Sequence, residues 1–269
     1  MTASRPAILA EKRRAVLHLR LRRKREEALA RQGTSSAPPE GRPGSPLVPL
    51  HRAGSKPPLF LVHAAGGSVA PYVPLAPLLG DDQPVYALED PGLHGAATEG
   101  RGLPDLAATY LAAVREVQPD GPLQVGGWSV GGAVALEMAR QDGDVALTFV
   151  LDTAIPDEPS HPRDDELNAW FAADVTAMGA EPDEPELAER FPVFAANVRA
   201  LLTFRPSRVD SRVVLLRAEE SAAGRIDRCR AYADETHVVR GDHYTMLRPP
   251  HIEALAEVMR DRSSEVSVR

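Results

Sequence analysis

The fold is decided by one short stretch, Val125-Gly126-Gly127-Trp128-Ser129-Val130-Gly131-Gly132-Ala133. An apolar run leads into it and a helical pattern of apolar residues follows at once, which predicts strand, sharp turn and helix with Ser129 at the apex. Such a turn strains the backbone of its central residue, and side chains two residues away on either side would clash. Gly127 and Gly131 remove those clashes. The first N–H groups of the helix are then free to face a developing oxyanion, so the pattern predicts a nucleophilic serine.

The length and composition allow one α/β domain with an appendage, since the chain has 269 residues and 43% of them are hydrophobic. The single cysteine, Cys229, cannot form an internal disulfide and favours a reducing compartment, so we expect a cytoplasmic protein. The flanking Arg228 and Arg230 could lower the pKa of Cys229, although an incidental thiol is the simpler interpretation. No run of 18 apolar residues occurs, so we expect neither a transmembrane helix nor a membrane partner.

Charge is distributed unevenly along the chain. The net charge is −7, yet residues 1–31 contain 10 Lys/Arg against 3 Asp/Glu. Strong helix formers predict a basic helical leader there, and the Gly/Ser/Pro-rich residues 32–46 are typical of a flexible linker. The folded domain is therefore predicted to span residues 47–265. A basic arm suits nucleic acid or an acidic protein surface, and of these we favour the protein surface and expect no nucleic-acid partner.

Strands and helices alternate from Leu47 onward, which predicts an α/β fold with a mostly parallel central sheet flanked by helices. The predicted strands are 47–51, 58–64, 85–89, 123–128, 145–151, 213–216 and 236–239. The predicted helices outside the insertion are 72–79, 106–117, 131–141 and 251–262. Residues 156–205 break the alternation, with helix candidates at 165–178 and 186–202, and an insertion of this kind usually caps the active site as a lid.

A serine nucleophile needs a general base within hydrogen-bond reach, and that base needs an acid to hold its tautomer. In this architecture the partners follow in the order Ser, acid, His. Of the histidines after Ser129, His243 is predicted to be the base, because its loop follows the last strand, where open parallel sheets build their sites. The other three have simpler explanations: His161 in a polar lid turn, His237 inside a strand and His251 at the start of the last helix.

The acid has more than one candidate. Asp152 directly follows the strand 145–151, again at the carboxyl end of the sheet. Glu219 and Glu220 follow the next strand in the same way, and spacing alone favours Asp152 without excluding them. Asp242 is a further option, but as the sequence neighbour of the histidine its side chain should diverge from the ring.

The second oxyanion donor is predicted to come from the loop after the second strand, His63-Ala64-Ala65-Gly66-Gly67-Ser68. Small residues let this backbone approach a carbonyl oxygen closely. A phosphate site is the alternative for a glycine-rich loop, but the dinucleotide pattern and the lysine of a nucleotide-binding loop are both missing. No metal-ligand spacing occurs, and the chemistry needs no metal.

From Leu47 to Arg262 the chain resembles a thioesterase domain of the kind that ends nonribosomal peptide synthetases and polyketide synthases. The matching stretches are Pro58–His63 with Gly66-Gly67, Val85–Leu88 leading to Pro91–Leu93, Leu106–Leu111, Val117–Pro122, Gly127–Gly132, Leu151–Thr153, Phe194–Leu201 with Asn197, Arg217–Glu220 and Gly241–Leu247. The resemblance implies an α/β-hydrolase fold with a mobile helical lid. Trp128 in the elbow resembles the chain-releasing class, whereas discrete proofreading thioesterases more often have His and Met around the serine.

The resemblance also implies the chemistry. The acyl chain, polyketide or peptidyl, would arrive as a thioester on the phosphopantetheine arm of a carrier protein or upstream synthase module, with no other cofactor. Ser129 would take it as an ester, and hydrolysis or macrocyclisation would release it. Asp152 would be the acid, and the backbone N–H groups of Ala65 and Val130 would be the oxyanion donors. A discrete proofreading thioesterase and another serine esterase on this fold stay as alternatives.

Two further expectations are less tightly constrained. The apolar lid residues could line an acyl channel or simply pack the lid on the body: Trp170, Phe171, Phe191 and Phe194. The basic leader resembles docking helices of such assembly lines, and because carrier proteins are usually acidic it could dock one, although a solvated tail explains it as well. The sequence fits both a discrete enzyme and an excised terminal domain.

Overall fold

The computed structural model describes residues 45–180, 187, 189–221 and 228–266. The predicted basic leader, residues 1–31, lies outside the described residues, and so does the predicted linker as far as residue 44. Both assignments therefore stay predictions. Among the described residues, none of the helices combines the length and the hydropathy of a membrane-spanning segment.

In the described part of the chain, a sheet of seven strands forms the centre of the fold. The strands are β1 (Leu47–His51), β2 (Leu59–Val62), β3 (Val85–Leu88), β4 (Leu123–Trp128), β5 (Val145–Leu151), β6 (Arg212–Ala218) and β7 (Glu235–Val239). Their spatial order is β1-β3-β2-β4-β5-β6-β7. Only the edge pair β1 and β3 is antiparallel, and all other described neighbours are parallel. The predicted mostly parallel sheet is confirmed.

The central strands β4 and β5 carry the residues that position the site. All residues of β4 are buried, and so are all but one of β5, which agrees with runs made mostly of apolar or small residues rather than alternating ones; Gln124 and Thr148 are the buried polar exceptions. Trp128 at the end of β4 pairs with Leu151 at the end of β5. Ser129 and Asp152 therefore leave the sheet level with each other at its carboxyl edge.

Helices cover both faces of the sheet. They are α1 (Leu103–Val117), α2 (Val130–Gln141), α3 (Asp164–Ala177), α4 (Phe191–Thr203) and α5 (Ile252–Ser263). One core cluster joins α1, α2 and α4 to alternate residues of β2 such as Phe60 and Val62. A second joins α5 to the opposite residues of β2, Leu59 and Leu61, and a smaller third cluster includes Leu136 and Val150. The period-2 alternation of side chains along β2 thus supplies both layers of the core.

The predicted helix over 72–79 is wrong. Two short 3₁₀ helices occupy this region instead, at Ala70–Tyr72 and Ala76–Leu79. The reason is local, because prolines recur every third residue at Pro71, Pro74 and Pro77. Each proline lacks the N–H that a continuous α-helix would need, so the chain makes separate single turns.

The insertion forms two helices, as predicted, with a shifted second start. Helix α3 coincides with the candidate at 165–178 to within one residue at each end. Helix α4 begins at Phe191 rather than Glu186, with a proline in its first turn where no intrahelical N–H is needed. Residues 181–186 and 188 lie outside the described part of the chain.

Candidate active site

Ser129 lies at the turn between β4 and α2, with φ 59° and ψ −123°. This left-handed backbone is the strain that the glycine pattern predicts. A Cβ added at Gly127 would overlap the backbone of Gly131, and a Cβ added at Gly131 would overlap the carbonyl oxygens of Val62 and His63. Glycine is thus required at both positions, because the turn packs directly against itself and against the end of β2.

Backbone hydrogen bonds hold the turn in place. The N–H of Ser129 donates to the carbonyl of Leu151 (2.9 Å), and its own carbonyl accepts from the hydroxyl of Thr153 (2.7 Å). Both partners belong to the neighbouring strand or the residues just after it. The candidate nucleophile is therefore fixed relative to the strand that precedes Asp152.

A test of this packing is Gly131→Ala with Gly143→Ala as its matched control. We expect Gly131→Ala to lower the free energy of unfolding by about 1–3 kcal/mol or more, because its methyl group must displace backbone rather than a side-chain end. Gly143 has no atom within 4 Å of an added Cβ, so Gly143→Ala should be close to neutral. Urea unfolding of both variants measures the difference, and equal stabilities would contradict this account of the turn.

Asp152 and His243 are brought together directly. His243 Nδ1 lies 2.7 Å from Asp152 Oδ2, although the two residues are 91 positions apart. Asp152 has a φ of 44° and is buried. Its other oxygen accepts from the N–H of Ala218 (2.8 Å), and Oδ2 also accepts from the hydroxyl of Ser221 (2.6 Å). The carboxylate is thus held from three sides and directs one lone pair at the histidine.

These contacts determine the charge of Asp152. Burial would raise the pKa of its carboxyl, but the hydrogen bonds from His243, Ser221 and Ala218 outweigh burial and hold the pKa below its ordinary value. The carboxylate is therefore ionised at neutral pH. An ionised acceptor at Nδ1 keeps the proton on that nitrogen and leaves Nε2 free to act as a base.

The rival acids lie elsewhere. Glu219 and Glu220 are exposed after β6. Asp242 diverges from the histidine ring as expected, because its Oδ1 accepts the N–H groups of Tyr244 (2.8 Å) and Thr245 (2.8 Å) and caps that turn. Of these candidates, only Asp152 contacts His243 in the described structure.

The remaining histidines also lie apart from Asp152. His237 contacts Glu235 within β7 (3.3 Å), His161 is exposed, and His251 packs under Gly241.

Aromatic rings surround His243 on the lid side. Its ring centroid is 4.9 Å from that of Trp128 and 5.1 Å from that of Tyr244. The hydroxyl of Tyr244 donates to Asp174 of α3 (3.1 Å), which ties this helix of the predicted lid to residues 241–244, the histidine loop that carries His243. Burial raises the pKa of the Asp174 carboxyl, with opposing contributions from Tyr244 and His243. Sequence reasoning missed Asp174 and Tyr244, since nothing local links α3 to that loop.

The predicted oxyanion donors lie at the start of α2 and in the loop after β2. Val130 is the first residue of α2, where a helix leaves its N–H without an intrahelical acceptor. Ala65 lies in the loop after β2, and its carbonyl accepts from the side chain of Asn197 (3.1 Å). Gly67 has a φ of 79° and closes this loop with a hydrogen bond to Ala64 (2.9 Å). The loop is therefore a tight turn held beside the elbow.

The four predicted lid aromatics do not behave alike. Phe171 packs against Phe191 (5.7 Å between ring centroids) and Phe194 (5.2 Å), which joins α3 to α4. Phe171 and Phe194 are buried, whereas Trp170 is 45% exposed. These contacts favour packing over channel lining for the three phenylalanines.

Cys229 is not an activated thiol. Burial raises its pKa to about 12, and its Sγ donates to the carbonyl of Thr153 (3.1 Å). The suggestion that Arg228 and Arg230 lower the pKa is wrong. The Arg228 guanidinium points away and pairs with Asp157, and Arg230 is exposed. Desolvation of the thiolate therefore dominates.

This assignment predicts that Ellman's reagent does not react with the native protein at pH 8, because the thiol is both protonated and buried. After unfolding in guanidinium chloride, one equivalent should react, since Cys229 is the only cysteine of the chain. Rapid stoichiometric labelling of the native protein would contradict the buried position.

The fold and the site define the class. A mostly parallel sheet with a strained serine between β4 and α2, and with an acid and a histidine at the same carboxyl edge, is the α/β-hydrolase arrangement. Solved structures agree. The chain superposes with a TM-score of 0.68 on the NocB thioesterase domain in covalent complex with a fluorophosphonate nocardicin G analogue, at 27% identity over 79% of this chain and 96% of that chain. The Vlm2 thioesterase domain, at 23% identity, has the same fold (TM-score 0.62, 84% of this chain and 100% of that chain).

Sequence comparison identifies the family. The family model of the thioesterase domain matches residues 57–262. Relatives include the dimodular nonribosomal peptide synthase of Bacillus subtilis (36% identical over 53% of this chain and 6% of that protein) and the chondramide synthase of Chondromyces crocatus (30% over 90% and 7%). The chain thus spans only a small part of these synthases. It belongs to the thioesterase domain family, in the form found in nonribosomal peptide and polyketide synthases.

Proposed function

We propose that this thioesterase accepts an acyl chain, polyketide or peptidyl, from the phosphopantetheine thioester of a carrier protein onto Ser129. It then releases the chain in secondary-metabolite biosynthesis. The observation that carries the proposal is the 2.7 Å contact between Asp152 and His243 at the sheet edge where Ser129 emerges. A buried, ionised acid beside the histidine is the support that a serine nucleophile needs.

The first half-reaction forms an ester. The Oγ of Ser129 attacks the thioester carbon while its proton passes to Nε2 of His243, and the carbonyl electron pair moves onto oxygen. The N–H groups of Ala65 and Val130 stabilise that oxyanion. When the intermediate collapses, the C–S bond breaks and His243 returns the proton to the departing sulfur. The free phosphopantetheine thiol leaves, and the acyl chain stays on Ser129.

The second half-reaction uses the same groups. His243 takes a proton from water, whose oxygen attacks the ester carbon, and gives it to the Oγ of Ser129 as the C–O bond breaks. The product is then a free acid. If a hydroxyl or amine of the chain itself attacks instead, the product is a macrocycle, and the closed lid decides this by excluding water or admitting it. The chemistry requires no bound cofactor, because the pantetheine arm belongs to the substrate.

The experiment compares two substrates that share one acyl group, an acyl-pantetheine thioester and the corresponding p-nitrophenyl ester. We expect the larger kcat/KM for the thioester. A preference for the ester would make the protein an esterase of the same fold. A fluorophosphonate should add to Ser129, as the NocB complex shows for that relative. The absence of an adduct on folded protein, read by mass spectrometry, would contradict catalysis altogether.

The partner is proposed to be a carrier protein, in keeping with the multidomain synthases among the relatives. Residues 1–31, with 10 Lys/Arg, would meet its acidic surface, and the shared location would be the cytoplasm. Deleting residues 1–40 should then raise KM for a carrier-bound substrate and leave KM for the free pantetheine thioester unchanged. An unchanged KM for both would contradict docking by the leader.

A further inference from the structure

A buried polar cluster lies at the loop after β2, residues 63–68, which carries the proposed oxyanion donor Ala65 and is called the oxyanion loop here. Its members are His63, Asp90, Arg101, Tyr110 and Asn197, and we call it the loop-anchor cluster. Four of the five side chains are essentially inaccessible, and Arg101 is 13% exposed. The large majority of buried polar groups have a hydrogen-bond partner, so the contacts of this cluster indicate what it holds.

Asn197 connects the lid to the loop. It lies in α4, and its side-chain N–H groups donate to Ala65 O (3.1 Å) and to Asp90 Oδ2 (2.8 Å). Its Oδ1 accepts from Arg101 (3.0 Å). The amide thus uses both of its donors and its acceptor, and it has a single orientation. Asn197 of α4 therefore holds the peptide between Ala65 and Gly66 through its carbonyl oxygen.

Asp90 and Arg101 fix the position of that amide. Arg101 pairs with both oxygens of Asp90 (2.9 and 2.6 Å), and the N–H of Asp90 donates to the carbonyl of Gly67 at the end of the loop (2.9 Å). Burial would raise the pKa of the Asp90 carboxyl, but the Arg101 guanidinium and the neighbouring donors hold it below its ordinary value. The pair is therefore ionised and rigid, which suits a support rather than a titrating group.

His63 holds the peptide between Ala64 and Ala65. Its Nδ1 lies 2.6 Å from the carbonyl oxygen of Ala64, which can only accept, so Nδ1 carries the proton. Nε2 then accepts from the hydroxyl of Tyr110 (2.5 Å). Burial lowers the pKa of His63, which agrees with a neutral ring that has one donor and one acceptor.

The geometry of the peptide bond gives these contacts a consequence. The carbonyl of Ala64 and the N–H of Ala65 belong to one planar unit, so a hydrogen bond that orients the carbonyl also orients the N–H. The same bond polarises the unit and makes that N–H a stronger donor. The proposed oxyanion donor is thus held from behind by His63, and its next peptide is held by Asn197.

We infer that His63 and Asn197 are positioning residues for the oxyanion donor of Ala65, and that Asn197 makes the geometry of that donor depend on the lid helix α4. The inference rests on the proposed function, since it assumes that Ala65 stabilises an oxyanion. Losing an oxyanion donor outright typically costs on the order of 10²–10³ in kcat. Loosening one should cost about tenfold to a hundredfold.

The experiment uses the full chain and two ligands of matched acyl group. The Oγ of Ser129 adds to the carbonyl of an acyl trifluoromethyl ketone, which places an oxyanion at the proposed oxyanion donors. The corresponding thioether analogue of the pantetheine substrate cannot react. Asn197→Ala should weaken the ketone by about tenfold to a hundredfold and lower kcat in step, with thioether affinity and KM unchanged. Asn168→Ala is the matched control, because Asn168 is an exposed lid asparagine bonded only to Asp164 in the described structure.

Tyr110→Phe is the second variant and decides the question if Asn197→Ala does not fold. It removes the hydroxyl that donates to His63 and that also lies 3.4 Å from the carbonyl oxygen of Glu89, and it should weaken the ketone more than the thioether. Equal weakening of both ligands, or no change in either, overturns the inference. Ser129→Ala separates a failure of the proposed function from a failure of the positioning role. If Ser129→Ala binds the ketone as tightly as the wild type does, the proposed nucleophile is wrong. If the wild type binds the ketone much more tightly than the thioether, and neither Asn197→Ala nor Tyr110→Phe changes that difference, only the positioning role is contradicted.

Discussion

Ser129→Ala is expected to lower kcat/KM for an acyl-pantetheine thioester by about 10⁴–10⁶, and no acyl or phosphonate adduct should form. The physical reason is that the variant lacks the hydroxyl that is proposed to accept the acyl chain. The rate that remains would come from substrate binding and the oxyanion donors. The fold should survive, because the bonds that hold the turn come from the backbone of Ser129 to Leu151 and Thr153. Steady-state kinetics and intact-protein mass spectrometry measure both effects.

The matched control is Ser207→Ala. Ser207 is an exposed serine between α4 and β6, and its replacement should leave kcat/KM within about twofold, as expected for a surface change far from the chemistry. If Ser129→Ala kept activity within tenfold of the wild type, a nucleophile other than Ser129 would have to be sought, and the elbow would be only a structural turn.

Asp152→Asn is the second large effect, with an expected loss of about 10⁴ in kcat and little change in stability. Asp152 accepts from Ala218 on one oxygen and from His243 and Ser221 on the other. An asparagine whose oxygen stays with Ala218 points its NH₂ at Nδ1 of His243. The imidazole must then carry its proton on Nε2, which is the wrong tautomer for a base acting on Ser129.

Glu219→Gln and Glu220→Gln are the controls for that variant, because they are the acids that spacing alone left open. Both are exposed and should keep wild-type kcat. A loss of activity in Glu219→Gln together with a normal rate in Asp152→Asn would reassign the acid. Single-turnover kinetics separates the acylation step from release and shows which of them Asp152 supports.

The two helices of the insertion, which is the predicted lid, contact parts of the site that are distant from them in sequence. Helix α3 contacts the histidine loop through Asp174 and Tyr244, and α4 contacts the oxyanion loop through Asn197. Each lid helix therefore touches a different half of the site. If residues 156–205 act as the predicted lid, its movement would loosen both contacts at once.

Sequence alone determined the elements with a local cause. The elbow could be predicted because its glycines must lie two residues from Ser129, where a Cβ at Gly127 would overlap Gly131 in the same turn and a Cβ at Gly131 would overlap the end of β2. The central strands β4 and β5 could be predicted because burial on both faces favours runs made mostly of apolar or small residues. Asp152 and His243 could be named because each follows a strand at the edge where parallel sheets place their sites. The one wrong element, the helix at 72–79, also has a local cause in its prolines, and propensity reasoning could have recognised it.

Spacing alone did not separate Asp152 from Glu219 or Glu220, because all three follow strands, whereas the packed sheet places only Asp152 of these three against His243. The same holds for the loop-anchor cluster. Asp90, Arg101 and Asn197 come from three separate segments, and the contact between Arg101 and Asn197 joins residues 96 positions apart. Such pairs cannot be recognised from the spacing of residues in the sequence, because a hydrogen bond depends on the distance between two groups in the folded chain.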